Sequence, residues 1–192
     1  GKDSSTLLYL LRHHQSRAPV RFSLGAVTVD GGWGGHPTDK LRRFCDVLEV
    51  PLRVQSADIV GAVMERVGED ETPCPLCARL RRGTIYRVAR EDGYPTVALG
   101  HHADDQAETL LLNVLSNGRL KAMPPLLRAD DGETTVIRPP LGVPESAIVA
   151  FAHGARPPAV PCQCLGPGRR DLRRPPIKQR LPQTAARSPG AR

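Results

Sequence analysis

The chain has 192 residues, 40% of them hydrophobic, a formal net charge of +7 and a pI near 9.6, which fits one domain with a buried core and argues against a disordered polymer. No run approaches the roughly 18 apolar residues of a membrane span, and the N-terminus lacks the pattern of a signal peptide, so a cytoplasmic protein is expected. The charge is a poor guide to partners: eight Lys and Arg and one acid, Asp171, lie between Leu165 and Arg192, leaving residues 1–164 balanced at 19 charges of each sign.

In chain order, Leu7, Leu8, Leu10 and Leu11 predict a helix over Ser4–His14, entered from Gly1-Lys2-Asp3. A strand follows over Phe22–Val29, then a helix over Pro37–Leu48, a short strand at Leu52–Val54 and a helix over Asp58–Val67. A basic helix is expected from Leu76 to Arg90, a β-branched run at Thr96–Leu99 closed by Gly100, and a helix over Asp104–Leu115. The pattern ends with a strand at Thr134–Ile137 and a helix over Pro144–His153. Such alternation predicts an α/β fold, a parallel sheet with helices on both faces. After Cys164 the composition turns to Pro, Gly and Arg, so residues 165–192 are expected to form a disordered basic tail outside a domain of residues 1–164.

Three constellations carry chemistry. Gly1-Lys2-Asp3-Ser4-Ser5 stands at a loop-to-helix junction, where unpaired N–H groups, an ammonium and two hydroxyls suit a phosphate. Gly100-His101-His102-Ala103-Asp104-Asp105-Gln106-Ala107-Glu108-Thr109 follows a short strand, at the carboxyl edge where parallel sheets bind ligands; its paired carboxylates suit Mg²⁺ held against phosphate oxygens. The third is Cys74-Pro75-Leu76-Cys77-Ala78-Arg79-Leu80-Arg81-Arg82-Gly83. A Cys-x-x-Cys pair places two thiolates on one metal or cluster, and a further ligand must come from elsewhere. Cys45, among Leu41, Phe44 and Leu48, reads as a small core residue. Arg79, Arg81 and Arg82 are candidates for RNA phosphates, with a solvated helix face as the competing account.

Together these segments resemble the PP-loop ATP pyrophosphatase superfamily. Gly1-Lys2-Asp3-Ser4 is similar to the end of its pyrophosphate loop, and Gly100 to Thr109 to its second signature. Cys74 to Gly83, Leu120 to Pro125 and Val136-Ile137-Arg138-Pro139 resemble the branch that makes 2-thiocytidine in tRNA. The resemblance implies the PP-loop (adenine nucleotide alpha hydrolase-like) fold, with ATP, Mg²⁺ and a [4Fe-4S] cluster held by Cys74, Cys77 and Cys162, Cys164 being the alternative third ligand. It assigns Gly1, Lys2, Asp3, Ser4, Ser5, Gly100 and His101 to ATP, Asp104 and Asp105 to Mg²⁺, and catalytic roles to Lys2, Asp3 and Asp104. Partners implied are tRNA and a sulfur donor such as a cysteine desulfurase, with homodimer formation also open. Thiolation of uridine, lysidine synthesis, or an inactive RNA- or metal-binding fragment are the rival outcomes.

Two departures from that family pattern set further expectations. The chain begins inside its first motif, so the domain is expected to lack its first, central strand and to fold or turn over poorly as it stands. Pro161-Cys162-Gln163-Cys164 is one residue shorter than the family's Cys-x-x-Cys at this point, and Pro175 and Pro176 interrupt the basic segment beyond it.

Overall fold

The computed structural model describes residues 1–32, 34, 38–68, 73–155 and 157–158. The first helix, α1 (Lys2–Gln15), starts at Gly1 and is followed by β1 (Ala26–Asp30), α2 (Thr38–Val47) and β2 (Leu52–Ser56). The β-branched run Val27-Thr28-Val29 makes β1, and β2 pairs with it in parallel from Ala26 opposite Leu52 to Asp30 opposite Ser56. Asp58 then opens α3 (Ile59–Arg66) by accepting a 2.8 Å hydrogen bond from the Gly61 N–H.

The basic helix α4 (Cys74–Glu91) leads into β3 (Thr96–Ala98) and α5 (Ala103–Asn117). Gly118 ends α5 in the left-handed region at φ 60°, where a residue without a Cβ adds no strain. A short strand, β4 (Leu126–Arg128), turns back antiparallel onto β5 (Thr135–Ile137), which lies parallel to β3, and α6 (Glu145–Ala155) follows.

Parallel pairing and α/β alternation agree with expectation, but the strands are divided: β1–β2 form one sheet and β3–β5–β4 another. No strand among the described residues joins β1 to β3. Between them lies a cavity of about 860 Å³, walled by Val27 and Val29 of β1, Val97 of β3, Leu7 and Leu11 of α1, and Ile85 of α4. Helix α4 contacts both β1 and β3 and so spans the division, while α1 contacts α6 through Tyr9 and Phe151, whose ring centroids are 5.4 Å apart.

One core cluster gathers Val29, Ile59, Val63 and Cys77 where β1, α3 and α4 meet. Cys45 is 3% exposed, in agreement with a core role, and burial raises its thiol pKa. No helix among the described residues is long and apolar enough to cross a membrane. The tail 165–192, with Cys162 and Cys164, lies outside the described residues.

Candidate functional site

The first two constellations meet at the carboxyl edge of β3. A Cβ placed on Gly100 would stand 2.9 Å from the backbone carbon of Asp3 and 3.0 Å from the Ser4 nitrogen, so the loop after β3 rests directly on the first turn of α1. Only a residue without a side chain allows that approach. Gly1 caps α1 without a side-chain hydrogen bond, and the N–H groups of its first turn have no intrahelical acceptor.

Lys2 bridges two segments, donating from Nζ to Asp3 Oδ1 at 2.7 Å and to Glu145 Oε1 at 2.8 Å. Burial works against its charge, but the two carboxylates outweigh that and hold its pKa above the ordinary lysine value. Glu145 in turn donates its backbone N–H to Asp104 Oδ2 at 2.7 Å, tying the start of α6 to that of α5.

His102, 2% exposed, caps α5 in a reciprocal arrangement. Its Nδ1 accepts from the Asp105 N–H at 3.4 Å while Asp105 Oδ2 accepts from the His102 N–H at 3.1 Å. An accepting Nδ1 leaves the ring proton on Nε2, which faces Asp105 Oδ2 at 3.4 Å and Glu145 Oε1 at 4.0 Å.

Lys2, Asp3, Asp104, Asp105 and Gly100 are therefore neighbours around one edge, although about a hundred residues separate the two motifs. Ser4 is exposed there, whereas the Ser5 hydroxyl is committed to the Pro158 carbonyl at 3.0 Å, and His101 is half-buried beside them. Glu145 belongs to the same network. Its only signal in the sequence is the Pro144-Glu145 helix start.

Among the described residues no three His, Cys, Asp or Glu side chains are grouped as a metal site. The carboxylates do not make a protein-only cage. They suit Mg²⁺ of the kind held by one or two carboxylates together with substrate phosphates.

Cys74 and Cys77 stand on the first turn of α4, Cys77 buried against Val29, Ile59 and Val63, and Cys74 half-buried. Two cysteines one turn apart, the second in an apolar shell that excludes water, fit part of a cluster site. Val29 lies near the carboxyl end of β1, so this pair is at the same end of its sheet as Gly100 is of the other. Arg79, Arg81 and Arg82 are all exposed; Arg81 also lines the cavity, and the charge of Arg82 disfavours that of Arg138.

A PP-loop domain profile matches residues 1–157. The chain belongs to the PP-loop domain family. Within that family its branch is that of the tRNA-cytidine(32) 2-sulfurtransferases. It is 44% identical to the protein of that name from Anaeromyxobacter sp. (strain Fw109-5) over 192 residues, covering 100% of this chain and 63% of that protein. It is likewise 44% identical over 190 residues to the one from Dechloromonas aromatica (strain RCB), covering 99% and 66%, and 44% identical to the one from Sorangium cellulosum (strain So ce56), covering 100% and 68%. The chain thus spans about two thirds of the length of these relatives. In fold it is similar to the U34-tRNA thiolase NcsA from Methanococcus maripaludis, solved with its [4Fe-4S] cluster. The TM-score is 0.76 at 23% identity, over 99% of this chain and 65% of that one.

Proposed function

We propose that this chain is the ATP-using, sulfur-inserting part of a tRNA-cytidine 2-sulfurtransferase acting on cytidine 32. The observation that carries the proposal is the meeting of the α1 N-terminus, Gly100 and the Lys2–Glu145–Asp104 network at one edge, on a chain that also holds Cys74 and Cys77.

In this reading the cytidine C2 oxygen attacks the α-phosphorus of ATP, the bond to the β-phosphate oxygen breaks, and pyrophosphate leaves. Sulfide-level sulfur from the donor then bonds to C2 through its own electron pair, and the C2–O bond breaks with its pair leaving on AMP, so that no change of oxidation state is needed. Lys2 and the N–H groups of Gly1 to Ser5 stabilise the phosphate charge that grows in the first step. Asp3 and Asp104, with Asp105, would hold Mg²⁺, which would offset phosphate charge, and Gly100 and His101 would line the nucleotide. Lys2 changes partner, from the Asp3 and Glu145 carboxylates to phosphate, when ATP enters. Cys74, Cys77 and Cys162, or Cys164 in its place, would hold a [4Fe-4S] cluster, which would supply a binding position for sulfur. Arg79, Arg81 and Arg82 face tRNA phosphates. The setting is the cytoplasm, with a sulfur donor such as a cysteine desulfurase, and a homodimer is the assembly to test for.

Pyrophosphate release tests this. With Mg-ATP and tRNA the protein releases pyrophosphate, and release falls at least about a hundredfold in Lys2→Met, the scale of losing a main transition-state donor. Release that is independent of Lys2 would refute the assignment.

A further inference from the structure

Arg138 extends β5 by one residue, its N–H donating to the Pro125 carbonyl at 2.9 Å. Strand alternation puts its side chain on the face occupied by Val136, which is fully buried, and the guanidinium goes in with it: Arg138 is 8% exposed. It makes one direct bond there, from Nη1 to the Pro124 carbonyl at 2.6 Å, and its buried Nε has no partner.

Among the described residues no carboxylate lies within ion-pair distance of it. The charged and titratable groups that act on Arg138 are Tyr86 and Arg82, a turn apart on α4. The acids nearest Tyr86 are Asp131, committed to Arg90 and to the Thr134 and Glu133 N–H groups, and the exposed Asp130. A buried guanidinium with an idle donor, in the field of a second arginine and with no carboxylate in ion-pair range among the described residues, is a costly arrangement unless an anion completes it.

We propose that Arg138, Arg82 and the Tyr86 hydroxyl form a phosphate subsite at the carboxyl end of β5. It is separate from the α1 N-terminus but on the same edge. The Leu99 N–H donates to the Ile137 carbonyl at 2.9 Å, so Arg138 follows directly beside Gly100, which touches Asp3. Planar guanidinium forks suit phosphate, and here one is buried at Arg138 and the other exposed at Arg82. The phosphate belongs either to the RNA backbone or to the nucleotide, an assignment that rests on the function proposed above. Binding of a phosphate as such does not depend on it.

The test uses the full chain, Arg82→Gln and Arg138→Lys, the second keeping a donor for Pro124. Fluorescence anisotropy with a labelled tRNA anticodon stem-loop and calorimetry with Mg-ATP identify the source. A loss of about three- to tenfold for RNA, with a salt slope lower by about one, assigns an RNA phosphate; the same loss confined to ATP assigns the nucleotide.

The deciding arm uses inorganic phosphate against chloride at matched ionic strength, in a Lys2→Met background that silences the α1 end. Phosphate raises the Tm of the background protein, and the rise shrinks at least by half in both arginine variants. A purely structural Arg138 would lower Tm and leave the phosphate-dependent rise intact. Equal rises in all three proteins overturn the proposal, even if RNA and ATP bind normally. A phosphate effect that depends on the arginines, in a chain that binds neither RNA nor ATP, upholds the subsite and refutes the proposed function instead.

Discussion

Lys2 and Glu145 are 143 residues apart and share a 2.8 Å ion pair, joining the first turn of α1 to the first turn of α6. Because Glu145 also donates its backbone N–H to Asp104, this pair fixes the entry of three helices at one edge. Its consequences for pH behaviour can be worked out. The Lys2 pKa is raised above its ordinary 10.5, so the stabilisation is complete below that pH and lost as pH rises through the higher folded-state value. Glu145→Gln removes one of the two carboxylates responsible. The fall in Tm as pH is raised above 10.5, followed by circular dichroism, is expected to begin at lower pH in Glu145→Gln than in the parent.

Gly100 and Asp3 make the second test. A Cβ 2.9 Å from the Asp3 backbone carbon cannot be relieved by a side-chain rotation, since what it meets is main chain. Gly100→Ala is expected to displace the α1 N-terminus, at a cost of about 1–3 kcal/mol. Mg-ATP affinity measured by calorimetry should drop by more than about tenfold, whereas Gly83→Ala, with nothing within 4 Å, should leave it unchanged.

The cysteines separate by environment. Under anaerobic reconstitution with iron and sulfide, Cys74→Ser is expected to abolish visible cluster absorption with little change in Tm, since Cys74 is only half-buried. Cys77→Ala should abolish the absorption and also cost about 1 kcal/mol through its place beside Val29, Ile59 and Val63. Cys45→Ala should lower stability by a similar amount and keep the absorption. A protein that binds only zinc and stays colourless would sink the cluster assignment.

Asp131 anchors the turn between β4 and β5. It accepts from the Thr134 N–H at 2.8 Å, the Glu133 N–H at 3.0 Å and the Thr134 hydroxyl at 2.9 Å, and it pairs with Arg90. The Thr134 N–H leads the causes that hold its carboxyl below the ordinary 3.8. A depressed pKa contributes stability above 3.8 that disappears as pH falls through the folded-state value. Asp131→Asn should therefore have a lower Tm at pH 6 and approach the parent as pH is taken toward 2.

Much of this architecture was legible in the residues because it is set locally. Asp58 announces α3, Gly118 follows α5, and the helix and strand spans needed only end corrections, α1 running Lys2–Gln15 where Ser4–His14 is predicted. Strand β4 was not legible: Leu126-Leu127-Arg128 is three exposed residues whose pairing with β5 is a tertiary event, with no alternation to signal it. The division into two sheets is equally non-local. At the site, motif residues could be named from the sequence, but not which of them meet. Glu145 and Tyr86 carry no motif of their own, and Arg138 stands in the Val136–Pro139 segment without a role that its sequence assigns; what the fold sets beside them gives them their importance. Arg79, Arg81 and Arg82 read as one basic stretch, and in the fold all three remain exposed on α4, with Arg81 also at the cavity.

The central claim is the chemistry at cytidine C2, and nucleoside mass spectrometry of tRNA from a strain deleted for this gene tests it most directly. Loss of 2-thiocytidine is expected, restored by the intact gene and not by a Lys2→Met or Cys74→Ser copy. Retention of 2-thiocytidine together with loss of a thiouridine or of lysidine would contradict it.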